Sequence, residues 1–331
     1  MPHPMNHFVI LDGFTPLEPL PRLAEHLGLK SLWIKRDDLT GLMFGGNKLR
    51  KLEYLIGDAL AKGCDLVITG GSPQSNHARL TAAVANKAGM ETWLCFAGRH
   101  MGMRQGNLLL NHIMGATMFT TGVYGSKNLY QAMKEKAAEA EKEGKKPYTI
   151  PVGGSTPVGD YGYLRAWREL EEQREKKQLP PFDEIYVAAG SGGTIAGLLA
   201  GIHLYPQKTK LMGISVWESK ETLYQEIRNF TSQLLSWVGH DQSVSMDALK
   251  LFDQYIGKKY GVLSKDGNEA IRLLARLEGI MADPVYTGKA LSGLIDRSRK
   301  GLLKDKHVLF WHTGGTPAVF THASSLSQDE A

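Results

Sequence analysis

Apolar residues occur along the chain in two alternating patterns, short continuous runs and longer runs spaced by three and four positions. Continuous apolar runs predict strands over residues 32–35, 66–71, 91–96, 117–122, 148–152, 184–189, 211–216 and 307–311. Helical spacing predicts helices over residues 48–60, 78–89, 101–115, 130–146, 162–178, 195–204, 268–278 and 289–300, and residues 219–259 are expected to be mainly helical. Strands that alternate with helices of this length predict right-handed βαβ units and a mainly parallel sheet, and therefore an α/β fold.

The helix predicted at residues 48–60 begins at Lys48, directly after a Gly45-Gly46 turn. Its apolar residues are expected to share one buried face: Leu49, Leu52, Leu55, Ile56, Ala59 and Leu60. In the first turn of a helix the backbone N–H groups lack partners and the helix dipole is positive. An amine in that field, partly desolvated and near other cations, has a lowered pKa and is a candidate for Schiff-base chemistry. The alternative is that Lys48 is one solvated cation among the 39 Lys and Arg residues.

Composition and charge narrow the classes of protein and partner. A length of 331 residues suits one large domain or two interleaved ones, and 37 glycines suit an α/β fold with many tight turns. The formal charge of +5 mildly favours anionic ligands. Because no basic stripe carries interleaved aromatic residues, nucleic-acid binding is not expected.

The cysteines and the apolar runs indicate the compartment. Cys64 and Cys95 are far apart and form no pair with metal-ligand spacing, so neither a disulfide framework nor a metal site is expected. The first residues show no charged leader followed by an apolar segment, and no apolar run approaches the ~18 residues of a membrane span. We therefore expect a soluble, cytoplasmic protein with no membrane partner.

A glycine-rich loop, Gly-Ser-Gly-Gly-Thr at residues 190–194, follows one predicted strand and opens a helix. In such a loop successive backbone N–H groups and the helix dipole bind a phosphate. Ile195 stands where the dinucleotide fingerprint has its third glycine, and the Gly-Lys-Ser/Thr of a P-loop is absent. A small phosphate-bearing ligand is favoured over NAD or ATP, with an ordinary strand–helix turn as the alternative.

Three further loops carry residues suited to chemistry. Residues 72–77, Ser-Pro-Gln-Ser-Asn-His, can cap the following helix through Ser75 or Asn76, and their N–H groups suit a substrate carboxylate. His77 taken alone is equally compatible with a hydrogen-bonded structural histidine. In the proline-fixed loop 283–289, Tyr286 alone is better explained as a packed aromatic, and His-Thr-Gly-Gly at residues 312–315 as a plain turn.

Together these loops form a pattern, because ligands of open parallel sheets bind at the carboxyl ends of the strands. A lysine at one such end, a phosphate loop at another and a carboxylate loop at a third predict a pyridoxal 5'-phosphate (PLP) site for an amino-acid substrate.

Four motifs resemble the D-cysteine desulfhydrase and 1-aminocyclopropane-1-carboxylate (ACC) deaminase family of fold-type II, tryptophan-synthase-β-like PLP enzymes. They are Gly-Gly-Asn-Lys-Leu-Arg-Lys-Leu-Glu at 45–53, Gln-Ser-Asn-His at 74–77, Asp-Pro-Val-Tyr-Thr-Gly-Lys at 283–289 and His-Thr-Gly-Gly at 312–315. The resemblance implies two α/β domains, each an open mainly parallel sheet flanked by helices. It implies a large PLP-binding domain of residues 1–51 and 162–331, a smaller inserted domain of residues 52–161, and a homodimer.

The same resemblance implies a role for each matching position. Lys48 would hold PLP as an imine and move protons, and the other catalytic residues would be Ser75, Tyr260 and Tyr286. Asn76 would bond the ring hydroxyl of the cofactor and Thr313 would face its pyridine nitrogen. The implied cofactor-binding residues are Lys48, Lys51, Asn76, Gly190, Ser191, Gly192, Gly193, Thr194 and Thr313. The implied substrate-binding residues are Gln74, Ser75, Asn76, His77 and Tyr286.

Two positions bear on the reaction. ACC deaminases that resemble this chain have Glu and Leu where it has Thr287 and Thr316. A neutral hydroxyl supports protonation of the pyridine nitrogen poorly, and the weaker electron sink that results still suffices when a good leaving group departs from Cβ. The resemblance and these positions together predict a PLP-dependent carbon–sulfur lyase. In it Lys48 removes the α proton, and D-cysteine or 3-chloro-D-alanine undergoes β-elimination to pyruvate and ammonia.

Other functions stay open at this point. Within the same class they are ACC deaminase, which forms 2-oxobutyrate and ammonia, and lysis of another amino acid such as L-cysteate. From other classes they are a non-enzymatic PLP binder and a Rossmann-type NAD protein, the latter disfavoured by the missing third glycine. The sequence does not fix the chirality of the substrate.

Overall fold

A computed structural model of the chain, which describes residues 6–240 and 243–327, confirms the α/β fold. The strands are β1 (Leu17–Pro19), β2 (Ser31–Arg36), β3 (Leu66–Gly71), β4 (Glu91–Phe96), β5 (Thr117–Thr120), β6 (Pro147–Thr149), β7 (Glu184–Ala189), β8 (Lys210–Ser215), β9 (Leu249–Phe252) and β10 (His307–His312). The helices are α1 (Pro21–His26), α2 (Lys48–Ala61), α3 (Asn76–Lys87), α4 (Gly106–Ile113), α5 (Ser126–Lys142), α6 (Pro157–Lys176), α7 (Gly193–Leu204), α8 (Lys220–Trp237), α9 (Lys265–Glu278), α10 (Thr287–Arg299), α11 (Ala318–Thr321) and α12 (Ala323–Leu326).

The strands form two sheets. The larger sheet has the order β1-β2-β10-β7-β8-β9, and its neighbouring strands are parallel except for β1 and β2. The smaller sheet has the order β5-β4-β3-β6 and is parallel throughout. The smaller sheet comes from one continuous stretch of chain that interrupts the larger one. The domain boundaries at 51/52 and 161/162 stay predictions, and residues 1–5 and 328–331 lie outside the described residues.

Close helix packing positions the glycine-rich loop at residues 190–194. The strand before it, β7, is buried along its whole length, as expected for a parallel strand covered on both faces. The helix after it packs tightly against α6, because a Cβ at Gly201 would lie 2.5 Å from Cβ of Trp167 and a Cβ at Gly197 would lie 2.4 Å from the backbone oxygen of Asp160. The small residues of α7 therefore hold its N-terminus close to the first turn of α6.

A cluster of buried charges, the balanced cluster, fixes the far face of α2. It consists of Lys35, Asp37, Arg50 and Glu169, contributed by β2, the turn after it, α2 and α6. Arg50 donates to Asp37 Oδ1 at 2.8 Å and to Glu169 Oε2 at 2.7 Å, and Lys35 donates to Glu169 Oε1 at 2.5 Å. Although burial opposes it, Arg50 lowers the pKa of Asp37. The cluster thus ties α2 to the larger sheet.

Several predicted boundaries are corrected by the structure. Leu60 is 38% exposed rather than buried, because residues 60–63 at the end of α2 all face solvent. The helix predicted at 101–115 begins only at Gly106. Gly102 and Gly106 have positive φ values of 81° and 54°, which are not helical. The helix predicted at 130–146 is α5, at Ser126–Lys142, and the strand predicted at 148–152 ends at Thr149.

Two further corrections concern an early helix start and a missed strand. The helix predicted at 162–178 starts at Pro157, because Thr156 caps it and proline is favourable at the first helical position. The prediction that residues 219–259 are mainly helical is wrong beyond Trp237, where β9 forms and pairs with β8. Residues 241 and 242 of that prediction lie outside the described residues. Within the part of the chain that is described, no helix is long and apolar enough to cross a membrane.

Candidate active site

Lys48 is the first residue of α2, at the end of a turn that only glycine can make. Gly45 and Gly46 have φ values of 60° and 130°, and a Cβ at Gly45 would lie 2.1 Å from the backbone oxygen of Asp38. The N–H of Asn47 donates to the backbone oxygen of Thr313 at 3.0 Å. The turn before Lys48 is therefore fixed against the loop that follows β10.

The amine of Lys48 is shifted towards its neutral form. Burial and, to a smaller extent, nearby Lys51 lower its pKa to about 7, with Asp160 acting in the opposite direction. This agrees with the lowered pKa expected from the sequence. The neutral amine is the form that condenses with an aldehyde, so Lys48 is suited to Schiff-base chemistry near neutral pH.

Beside Lys48 lies a polar cluster, the phosphate-side cluster, formed by Lys51, Ser155, Asp160 and Ser191. Lys51 Nζ donates to Asp160 Oδ1 at 2.7 Å and to Ser155 Oγ at 3.3 Å. Ser155 Oγ is 2.9 Å from Ser191 Oγ. Asn47 Nδ2 donates to Thr194 Oγ1 at 3.0 Å, which joins the turn before Lys48 to α7. The structure thus brings Lys48, Lys51 and the loop at 190–194 together.

Glycines keep the space inside this cluster open. A Cβ at Gly153 would lie 2.3 Å from Ser191 Oγ and 3.7 Å from Lys48 Nζ. A Cβ at Gly193 would lie 2.2 Å from Asp160 Oδ1 and 2.5 Å from Lys51 Nζ. Gly193 is also the first residue of α7, whose first N–H groups have no intrahelical partner. Backbone donors, two amines and two hydroxyls around a glycine-lined space fit the phosphate and aldehyde of PLP.

Asp160 is a site residue that the sequence reasoning missed. It lies fully buried in the first turn of α6, and its Oδ2 has no hydrogen-bond partner. Burial raises the pKa of this carboxyl, and Lys51 opposes the shift. The predicted helix began at residue 162, so Asp160 fell outside it, and the signal that could have found it is the Thr156-Pro157 helix start.

The hydroxyl and amide groups expected near the substrate line a separate cavity of about 440 Å³, the substrate-side cavity. Its lining includes Ser72, Gln74, Asn76, Tyr260 and Tyr286. A larger groove of about 810 Å³ lies beside the N-terminal arm and α6 and contains none of the predicted site residues. The smaller cavity is therefore the better candidate for a substrate.

Two tyrosines form one wall of the substrate-side cavity. Their hydroxyl oxygens, of Tyr260 and Tyr286, are 2.5 Å apart, and burial raises the pKa of both phenols. Cε1 of Tyr286 lies 3.4 Å from the position of a Cβ at Gly190. Tyr286 therefore joins the substrate-side cavity to the loop that opens the phosphate-side cluster.

Not every predicted side chain of the 74–77 loop faces the cavity. Ser75 caps α3, accepting from the N–H of Ala78 at 3.2 Å. His77 Nε2 is 3.0 Å from the hydroxyl of Thr69, which itself donates to the backbone oxygen of Ile150. His77 therefore donates from Nε2, and burial, with Lys48 and Lys51, holds its pKa well below the usual value. The side chains of Ser75 and His77 are therefore engaged within the protein.

The loop that carries Tyr286 is fixed by a buried carboxylate, Asp283, to which the sequence reasoning gave no role. Asp283 accepts from the backbone N–H groups of Val285, Tyr286 and Thr287 at 2.8 to 3.0 Å. It also accepts from the Thr287 hydroxyl at 2.7 Å. Thr287 is fully buried, so its hydroxyl is used within the loop.

Comparisons with known proteins identify the family of the chain. Residues 10–314 match the family described as "Pyridoxal-phosphate dependent enzyme". The chain is 40% identical over 328 residues to a D-cysteine desulfhydrase of Yersinia enterocolitica, covering 97% of this chain and 98% of that one. It is 43% identical over 315 residues to a Pyrococcus horikoshii protein named "Putative 1-aminocyclopropane-1-carboxylate deaminase", covering 94% and 92%. A solved structure described as an ACC deaminase homologue superposes with a TM-score of 0.90 at 41% identity, covering 97% and 95%.

The chain belongs to the pyridoxal-phosphate-dependent enzyme family. Its relatives are named for D-cysteine desulfhydrase and ACC deaminase, and the predictions of a PLP cofactor and of a PLP-dependent lyase are confirmed. The roles of the individual site residues stay predictions.

Proposed function

We propose that this lyase catalyses β-elimination from D-cysteine, releasing pyruvate, sulfide and ammonia, and that it also accepts 3-chloro-D-alanine. Bound PLP supplies an electron sink for the pair of electrons left at Cα when the α proton departs. Lys48 would hold the cofactor aldehyde, and its amine would serve as the base for the α proton, a role that its pKa of about 7 supports. Sulfide leaves readily from Cβ, so a modest electron sink suffices.

The observation that carries the choice of substrate is the environment of Thr287. Its hydroxyl donates to Asp283, and the Asp283 carboxylate accepts four hydrogen bonds from its own loop. Neither group is therefore free to protonate a pyridine nitrogen. Ring opening of ACC needs a strong sink, whereas elimination of a good leaving group does not.

The remaining residues are proposed to bind and orient. Lys51, Ser191 and the first N–H groups of α7 hold the phosphate, supported by the glycine-lined space between them. Asn76 bonds the ring oxygen, and backbone N–H groups of residues 74–77 hold the substrate carboxylate. Tyr260 and Tyr286 cover the substrate, supported by their position in the wall of the cavity. Thr313 faces the ring nitrogen.

A substrate panel tests the proposal. Purified enzyme is given D-cysteine, L-cysteine, 3-chloro-D-alanine, L-cysteate and ACC, and the 2-oxo acid products are separated. We expect pyruvate and sulfide from D-cysteine and no 2-oxobutyrate from ACC. The proposal fails if ACC is turned over faster than D-cysteine, or if L-cysteate is the best substrate.

We also propose a cytoplasmic homodimer with domains of residues 1–51 plus 162–331 and of residues 52–161. The resemblance of the motifs supports the dimer, and the two separate sheets support the division into domains. Light scattering of the purified holoenzyme tests the dimer, and a monomeric mass at micromolar concentration would contradict it.

A further inference from the structure

A fully buried arginine, Arg79 on α3, lies behind the substrate-side cavity without a carboxylate partner. It is 0% exposed and donates to three neutral oxygens, Oδ1 of Asn76 at 2.9 Å, Oδ1 of Asn107 at 2.7 Å and the backbone oxygen of Gly45 at 2.8 Å. Among the described residues it makes no ion pair, and its Nε has no partner. Burying such a cation is costly, so the protein retains it against a free-energy penalty.

The hydrogen bonds of Arg79 determine which way two amides face. A guanidinium only donates, so the atoms it reaches in Asn76 and Asn107 are their carbonyl oxygens. The Nδ2 of Asn107 then donates to Oδ1 of Asn76 and to the backbone oxygen of Gln74, both at 2.8 Å. Oδ1 of Asn76 therefore accepts two hydrogen bonds from protein groups.

These hydrogen bonds leave the Nδ2 group of Asn76 as a free donor. It makes no hydrogen bond to any described residue, whereas Oδ1 of the same amide is saturated. Asn76 lines the substrate-side cavity. The amide thus offers the cavity a donor, with a positive charge one hydrogen bond behind it.

We propose that Arg79 is a positioning residue that makes Asn76 present an N–H donor to the ring oxygen of the cofactor and stabilises that oxygen as an anion. The inference rests on the proposed role of Asn76. Because Arg79 also holds the backbone oxygen of Gly45, it couples this amide to the turn that precedes Lys48. One side chain thus sets the positions of two groups proposed to meet the cofactor.

Spectra and cofactor affinity of variants test the proposal. Arg79→Met removes the charge and the donors, Arg79→Lys keeps the charge, and exposed Arg22→Met is the matched control. We expect Arg79→Met to weaken PLP binding about tenfold or more, since hydrogen bonds to charged groups are the stronger ones. We also expect it to move absorbance from the long-wavelength visible band, which requires the anionic ring oxygen, to the near-ultraviolet band. Arg79→Lys should restore part of both signals.

Asn107→Asp is a second variant that tests the orientation directly. The introduced carboxylate would neutralise the charge of Arg79 and would have no N–H for Oδ1 of Asn76, so the Asn76 amide should no longer be held with its N–H facing the cavity. The same loss of the long-wavelength band is expected, with nearly unchanged side-chain volume. This variant decides the matter if Arg79→Met fails to fold.

Several outcomes would overturn the inference. They are a folded Arg79→Met protein with wild-type affinity and spectrum, or one that loses only unfolding free energy in urea. For a misfolded Arg79→Met, the contrary outcome is a wild-type spectrum in Asn107→Asp. If the variants show the spectral shifts but the wild-type enzyme does not turn over D-cysteine, the proposed substrate is refuted and the inference stands. A wild-type protein that gives no visible band with PLP refutes both.

Discussion

Two groups of buried charges lie on different faces of α2, and they differ in how completely their charges are compensated. The balanced cluster contains two cations and two carboxylates, in close ion pairs. The other group, Lys48 and Lys51 with Asp160, contains two cations and one carboxylate. The paired charges of the balanced cluster fix the helix, whereas the second group has fewer carboxylates than amines and is suited to an anion.

The same difference appears in the lysine amines. Burial lowers the pKa of Lys35 to about 8, with Glu169 opposing the shift, whereas that of Lys48 falls to about 7. The lower value arises beside Lys51, a like charge, and the higher one beside a carboxylate in direct contact. Burial is thus the largest cause of both pKa shifts, and the neighbouring charges decide how far it is offset.

Lys48→Ala should have the largest effect, because it removes the proposed attachment point and base together. We expect the cofactor colour to be lost on dialysis and kcat to fall about 10³-fold. The measurements are visible absorbance and pyruvate release. Lys62→Ala is the control, since that lysine follows the same helix but its side chain is 60% exposed. A Lys48→Ala protein that stays yellow after dialysis would exclude the assignment.

Asp37→Asn should have the next largest effect, on stability rather than chemistry. It keeps the shape of the side chain but leaves Arg50 and Lys35 with one carboxylate between them. We expect a loss of about 3–5 kcal/mol in the free energy of unfolding, as for other broken buried pairs. Urea titration measures it. The matched variant is Asp160→Asn, which should lose less, because Asp160 Oδ2 has no partner; equal losses would remove the distinction between the clusters.

Asp160→Asn should change the reactivity of Lys48 more than it changes the stability of the protein. Asp160 acts to raise the pKa of Lys48, so its neutralisation should lower that pKa further. The measurement is the rate at which cofactor-free enzyme takes up PLP as a function of pH. An unchanged or raised midpoint would show that the carboxylate does not act on this amine.

The last effect expected is a pH dependence of stability in the cofactor-free protein. The pKa values of Lys48 and Lys35 are lowered on folding, to about 7 and about 8 from 10.5, so the unfolded chain binds more protons above these values. The free energy of unfolding should therefore rise from pH 7 to pH 9, by at most about 1.4 kcal/mol per pH unit for each group. Lys48→Met should flatten the rise in urea midpoints; a slope equal to wild type would contradict the shift.

Strands with continuous apolar runs could be predicted from the sequence closely. The runs at 91–96 and 184–189 coincide with β4 and β7, because a strand buried on both faces carries its signal within itself. The short edge strand β9, Leu-Lys-Leu-Phe, was missed because only Leu249 is buried and the strand lies between helices. Helix ends were missed where a cap or a positive φ decided them, as at Thr156 and Gly106.

The residues of the candidate site also divide into those that local sequence predicts and those that depend on distant partners. Lys48 and the glycine loop at 190–194 were predicted from local chemistry, since each lies at a strand–helix junction, and the structure brings them together. Asp160, Arg79 and Asp283 were missed because their importance depends on partners elsewhere in the fold. Asp160 meets Lys51 from 109 positions away, and Arg79 meets Asn107 from 28. Short spacings predict a residue's own geometry, whereas charge compensation is a property of the assembled chain.

Lys48 belongs to neither sheet, since β2 of the larger one precedes it and β3 of the smaller one follows it. The chain crosses from one sheet to the other through α2, and the reactive amine stands at the beginning of that crossing. If the cofactor is attached to Lys48 as proposed, a hinge-like displacement between the sheets would be transmitted to it. On gentle heating, the visible absorbance of the bound cofactor should then change before the far-ultraviolet signal of the helices. That absorbance would report displacement of one sheet relative to the other.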